Sequence, residues 1–204
     1  GDAEPQSFAR WLAAARAAPR PLRYGTYAHA SLSHIAGEFL RLEPPATLDQ
    51  VSLPASRIMP MLAAGEIDFA MVGLPSALAA TAAPRAQPMR VLAVSSAHRS
   101  PLLPGVPAFG EIWPGREFVQ WVAIVAPSHL PAPVRARLAA AVRTLLADRA
   151  FIAELEAMGV TWRGQSGADA LAYVRDDILK QAKDIAAYAI QPIDGPDKGG
   201  PARP

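Results

Sequence analysis

Apolar positions in the first hundred residues switch between two repeats, and the switches outline a chain of alternating helices and strands. In Ser7–Ala18, Phe8, Trp11, Leu12 and Ala15 fall at helical spacing, with Ser7 placed as the N-cap. Pro19 and Pro21 end that helix before a short strand at Leu22–Tyr24. A second amphipathic helix begins near Ser31 or Ser33 and sets Ile35, Ala36, Phe39, Leu40 and Leu42 on one face. Glu43-Pro44-Pro45 forces a turn, and Gln50–Leu53 is short and β-like. Arg57–Ala64 reads as a short helix stopped by Gly65, with Pro60 early enough to be tolerated. Ile67–Val72 and Arg90–Val94 are apolar runs without alternation, which suits buried parallel strands.

Strand alternating with helix predicts an α/β fold with a twisted, parallel-rich sheet. Ligands of such sheets lie beyond the carboxyl ends of the strands. The loop after Tyr24, the turn after Met71 and the residues after Val94 are placed to reach that edge. Further on, Phe118–Ala126 reads as a long strand. Helices are predicted at Pro133–Ala147, Asp148–Met158 and Gly167–Tyr188, and the Gly- and Pro-rich end as a loose tail. Leu138, Val142, Leu145, Leu155, Leu171, Val174 and Ile178 on those helices need apolar cover.

Composition narrows the class. Hydrophobic residues make up 51% and charged residues 19% of 204, a globular balance with enough chain for a real core. A net charge of +2 and isolated arginines give no basic stripe, so no nucleic-acid partner is expected. The absence of cysteine removes disulfides, thiolate metal sites and cysteine nucleophiles. No apolar run approaches the ~18 residues of a membrane span. The N-terminus lacks the basic and apolar regions of a signal peptide, so an exported protein would be met here after processing or as a fragment.

Chemistry concentrates in one loop. Between the strand at Leu22–Tyr24 and the next helix stands a run of small and hydroxyl residues, Gly25–Ser31, interrupted by Tyr27 and His29. A helix start leaves backbone N–H groups unpaired at the positive end of the macrodipole, and small residues let an anion approach them. The loop therefore reads as a carboxylate or phosphate cradle, or as an ordinary strand-to-helix turn. Catalysis has little support. Ser76 in Gly-Leu-Pro-Ser-Ala does not follow the nucleophile-elbow pattern, and the four histidines lack metal-ligand spacing. No phosphate-loop or dinucleotide fingerprint occurs, and no enzyme activity, metal or cofactor is expected.

Three segments together carry a resemblance: the opening loop, Gly65–Leu78 (GEIDFAMVGLPSAL), and Ala93–Glu111 (AVSSAHRSPLLPGVPAFGE). Trp121, the phrase at Ala126–Val134 and the closing helices continue it. In order and spacing the chain resembles the periplasmic solute-binding (Bug) subunits of tripartite tricarboxylate transporters, over about Ser7–Ile190. It corresponds to the later part of a family member. The resemblance implies a type II periplasmic-binding-protein-like fold, with one nearly complete lobe over 7–120. A crossover strand and helices of the other, incomplete lobe would follow over 121–190, and a flexible tail over 191–204. It implies a periplasmic location, a small carboxylate ligand held between lobes, and membrane transporter subunits as partners. The sheet and the loop that supply half of the family's carboxylate grip have no counterpart here, so the chain should self-associate or expose apolar surface between Pro133 and Tyr188.

Carried over position by position, the family's grip falls on Thr26, Tyr27, Ala28, His29, Ala30 and Ser31. Relatives keep small residues, glycine or asparagine where Tyr27 to Ala30 stand. His29 is thus either an added donor to an anion or a space-filler, and Tyr27 either a stacking platform or the same. Val72 and Gly73 stand where many relatives carry aspartate and asparagine, so the far end of any ligand should be neutral or apolar. His34 reads as a helix-packing residue, Arg57 as a solvated arginine, His98 and Arg99 as structural, and His129 as exposed. The leading function is a solute-binding protein, or its ligand-binding portion. The alternative is a truncated, non-transporting relative acting as an interaction or sensing module.

Overall fold

A computed structural model describes residues 6–42, 46–83 and 89–191. The expected turn at Glu43-Pro44-Pro45 and the expected tail from residue 192 onward lie outside the described residues. Ser7, expected as an N-cap, lies inside the first helix, which already includes Gln6. By packing, the described chain falls into two units. One takes 9–72 and 174–191; the other takes 6–8 and 73–173. The cuts fall inside α1 (Gln6–Arg16), just before α4 (Leu74–Ala82), and inside α8 (Gly167–Ala187).

The first unit is a mixed α/β layer. Its sheet has the order β2-β1-β3, with β1 at Leu22–Thr26, β2 at Leu48–Ser52 and β3 at Phe69–Ala70. Both pairings are parallel, from Leu22↔Leu48 to Thr26↔Ser52 on one side and Tyr24↔Phe69, Gly25↔Ala70 on the other. Parallel neighbours need crossovers, and α2 (Leu32–Leu42) and α3 (Ala55–Ala63) supply them. Most of the predicted apolar face of α2 forms the core, with Ile35, Ala36, Phe39 and Leu40 at 2% exposure or less, while Leu42, expected on the same face, is 43% exposed in the helix's last turn. Tyr24 stacks on Phe69, whose other neighbour Trp11 meets it edge-on. Gly37 is required here, since a Cβ would lie 2.1 Å from the Tyr24 ring. On the amino side of β3, the Asp68 carboxylate accepts from Nη1 and Nη2 of Arg20 and from the Arg23 N–H.

The second unit carries no sheet among the described residues. Of the strand expected at Arg90–Val94 only Val94 pairs, in an isolated parallel bridge to Ala108. The chain turns instead at Ser95–Pro107 and closes on itself. Phe118 N–H donates to Ser95 O, Gly110 N–H to Ser96 O, and Arg99 reaches both Glu111 and Pro104 O. A cluster of Phe8, Phe109, Trp113 and Phe118 fills the centre. Arg99 is structural, as its place in the sequence phrase implied.

Two helices escaped the hydrophobic pattern: α4, which starts straight after Gly73 with Pro75 in its first turn, and the single turn α5 (Phe109–Ile112). The expected helices near the end are present as α6 (Ala132–Ala147), α7 (Arg149–Ala157) and α8. Asp148 caps α7 by accepting from Ala150 and Phe151 N–H. Gly159, at φ +86°, ends that region against Leu74.

The long strand expected at Phe118–Ala126 is absent. The stretch forms no strand, because none of the described residues offers it a ladder, and Val122, Ile124 and Val125 are 87%, 69% and 86% exposed. No described helix is long and apolar enough to cross a membrane.

Candidate functional site

β1 delivers the chain to the carboxyl edge of the sheet, and the loop 27–31 leads from there into α2. Two residues past the last β1–β3 pair stand Tyr27 on one side and Val72 on the other, both half-buried. The sheet thus brings these two sequence-predicted residues to one edge. Thr26 belongs to the sheet itself. It is fully buried, its Oγ1 accepts from Gln50 Nε2 at 2.8 Å, and its carbonyl accepts from Leu53 N–H.

The loop is organised by hydroxyls and one imidazole. Ser31 is the N-cap of α2: its Oγ accepts from His34 N–H at 3.3 Å and donates to Ala28 O at 2.7 Å. Its backbone carbonyl begins the helix by accepting from Ile35 N–H. Ser33 Oγ accepts from Tyr27 N–H, and His34 Nδ1 accepts from Ala30 N–H at 3.0 Å. With the Ser31 N–H donating to Ala28 O, three of the loop donors are therefore engaged internally. Among the described residues, the Ala28 and His29 N–H groups meet no acceptor, and both residues are half-buried. These are the donors the loop can offer an anion.

His29 is turned to a different use from either sequence reading. Its Nε2 lies 2.6 Å from the carbonyl of Gln191, and a carbonyl only accepts, so Nε2 carries the proton. Its ring also meets that of His34 edge-on, at 4.8 Å between centroids. The end of α8 turns here through Ala189, at φ +53°, and buries Tyr188 against Phe39.

Beneath the loop lies a polar network inside an otherwise apolar core. Tyr24 OH donates to Glu38 Oε1 at 2.9 Å, and Arg41 donates to Glu38 Oε2 from both Nε and Nη2. His34 Nε2 stands 3.8 Å from Glu38 Oε1. Burial, and then the Glu38 carboxylate, push the Tyr24 hydroxyl far above its ordinary range. Burial holds His34 below the usual histidine value, with Glu38 opposing and His29 and Arg41 reinforcing the shift. Sequence reasoning placed His34 in the packing but missed this network and the Gln191 contact. The signal was present: His34, Glu38 and Arg41 sit at i, i+4 and i+7 beside an apolar face.

An open groove of about 430 Å³ adjoins the network, lined by His29, His34 and Glu38 together with Asp49, Gln50 and Tyr188. Of the sequence-predicted residues only His29 lines it. Arg57, His98 and His129 are exposed, and no group of three or more metal-ligating side chains occurs among the described residues.

Comparison with known proteins decides the family. The model of the tripartite tricarboxylate transporter family receptor matches residues 2–189. The chain belongs to this family. Its members are solute-binding receptors, not enzymes. A UPF0065 protein in the tcbD-tcbE intergenic region of Pseudomonas sp. (strain P51) is 27% identical over 168 residues, which cover 80% of this chain and 48% of that protein. This receptor-family chain thus spans about half the length of the curated relative it matches. Among solved structures, R. palustris Rpa4515 with adipate is 26% identical, with a TM-score of 0.79 over 92% of this chain and 62% of that one. A ligand-free TctC solute binding protein from Polaromonas shares the fold at 20% identity and a TM-score of 0.62, covering 92% of this chain and 61% of its own. The periplasmic binding protein BugD does so at 17% identity and 0.71, covering 93% and 64%. The fold is accordingly that of a part of a type II periplasmic binding protein.

Proposed function

We propose that the chain is the ligand-binding portion of a receptor that captures a small carboxylate with an apolar body for a tripartite tricarboxylate transporter in the periplasm. The observation that carries this reading is the 0.79 TM-score to a relative holding adipate, a dicarboxylate whose middle is four methylenes. In this chain the Ala28 and His29 N–H groups, in the loop that precedes α2, supply donors for one carboxylate. Thr26, Ala30 and Ser31 shape the loop around them. Val72 at the same sheet edge favours an apolar ligand body over a charged one, and Tyr27 offers it a flat face. The proposal includes the division into a lobe at 7–120 and the return at 121–190. That division describes the family's architecture and has a different basis from the two packed units of this chain.

Isothermal titration against adipate, succinate, glutarate, aspartate and glutamate tests the reading. Dicarboxylates with an apolar body should bind weakly, near the ~4 kcal/mol of a millimolar dissociation constant, because few donors of the loop are free. Tight binding of aspartate or glutamate would overturn the specificity.

A second reading is favoured by a separate observation. The exposed Val122, Ile124 and Val125 suit a non-transporting interaction or sensing module that self-associates through this stretch. Sedimentation decides between a monomer and a concentration-dependent dimer.

A further inference from the structure

One bond in the loop depends on the protonation of a single atom. Ala30 adopts φ +53°, a left-handed conformation that costs any residue with a Cβ and persists only where its surroundings fix it. Ser31 closes the turn from one side, through its N–H and Oγ to Ala28 O, and the bond that Ala30's own N–H makes is to His34 Nδ1 at 3.0 Å. A backbone N–H only donates, so this bond exists only while Nδ1 is bare, which makes His34 the neutral Nε2–H tautomer. His34 is held in place by its own N–H to Ser31 Oγ and by burial to 5% exposure on α2.

We infer that His34 is the positioning residue of the loop 27–31: its bare Nδ1 locks Ala30 left-handed, and a proton on that nitrogen releases the loop. Charged and titratable groups face His34 from α2, the loop, β2 and the end of α8. On α2, Glu38 stands 3.8 Å from Nε2 but is already engaged by Tyr24 OH of β1 and by Arg41. His29 faces it from the loop, Asp49 lines the same groove from β2, and Tyr188 does so from the end of α8. Burial dominates the outcome, and His34 protonates below the ordinary histidine value of 6.5. Since the unfolded chain takes the proton more readily, the lock is complete above about pH 6.5 and is lost as pH falls through the lower folded value. Nothing in this device requires a ligand. Its consequence for carboxylate binding rests on the function proposed above, because releasing Ala30 reshapes the turn that presents Ala28 and His29 N–H.

The test is nitrogen NMR of His34 and amide exchange at Ala30 in the whole chain, with exchange corrected for its intrinsic pH dependence. The expected result is the Nε2–H tautomer at about pH 7.5. Ala30 protection should then fall about fivefold to tenfold, the weight of one hydrogen bond, as His34 titrates. His34→Asn, whose Oδ1 can take the place of Nδ1, should keep the protection and remove its pH dependence. His34→Phe should lose it at every pH. An Nδ1–H tautomer, protection that ignores the His34 titration, or a His34→Asn variant that behaves like His34→Phe overturns the inference. Should His34→Phe fail to fold, the wild type and His34→Asn still decide. Adipate titration forms a separate arm: affinity should drop in His34→Phe and persist in His34→Asn. No adipate binding in any variant, with the Ala30 results intact, overturns the ligand reading and leaves the lock supported.

Discussion

Phe39 and Val125 both sit in strongly apolar stretches, yet Phe39 is 1% exposed and Val125 86%. Phe39 is on a helix whose partner strands lie within reach of the same chain, and Tyr24, Ile35 and Tyr188 close around that region. Val125 is in an extended run that meets no ladder among the described residues. The difference is in what each stretch is offered. A helix satisfies its own backbone and needs only a surface to cover; a strand needs a neighbour's N–H and C=O groups before it exists at all. Apolar character alone therefore predicts burial better for helices than for strands.

Truncating the buried member should give the largest effect. Phe39→Ala removes a ring packed against Tyr188 and the sheet, and should cost about 3–5 kcal/mol in urea unfolding. A loss below about 1 kcal/mol would mean that this corner is not a cooperative part of the fold.

Glu38→Ala tests the polar half of the same corner. The carboxylate accepts from Tyr24 OH and from Arg41, and its removal leaves a buried hydroxyl without its acceptor. The expected cost is about 1–3 kcal/mol. Tyr24→Phe/Glu38→Ala should recover part of it, because the orphaned hydroxyl is then absent. A double mutant no better than Glu38→Ala would place the cost on Arg41 or His34 instead.

Much of that corner is readable from residues alone. The apolar face of α2, the serine cap and the short parallel strands follow from spacing, because each is settled by neighbours a few positions away. The carboxyl-edge placement of Tyr27 and Val72 follows from alternation of strand and helix. What could not be read is long-range. The Gln191 carbonyl lies 162 residues from His29, and no local pattern announces that contact. Arg90–Val94 and Phe118–Ala126 have strand composition but find no partner strand among the described residues, and composition does not carry that information. The sheet edge was legible, whereas the engagement of Tyr27 and Ala30 N–H by Ser33 and His34 was not.

Asp68 offers a smaller test, at the opposite end of β3 from Val72. The Arg20 guanidinium, and then the Arg23 N–H, hold its carboxyl below the ordinary 3.8, against the opposing pull of burial. A depressed folded value means that the stability it contributes is present above about pH 4 and is lost as pH falls through that value. Asp68→Asn should therefore lower the melting temperature modestly at neutral pH, with the gap to wild type closing on acidification. A gap that stays constant from pH 7 to pH 3 would assign the effect to packing rather than charge.

The smallest change in stability is expected in the exposed member of the comparison. Val122→Ser with Val125→Ser removes apolar surface that touches water, so unfolding free energy should shift by no more than about 0.5 kcal/mol per site. Binding of a hydrophobic dye should fall clearly, since both side chains are almost fully exposed. The same variant separates two states of the stretch in solution. If it is bare, stability is unchanged at every protein concentration. If copies of the chain cover it, wild-type stability rises with concentration and the double variant loses that dependence. A large, concentration-independent loss would show instead that Val122 and Val125 are packed within one chain, and the contrast with Phe39 would fall with it.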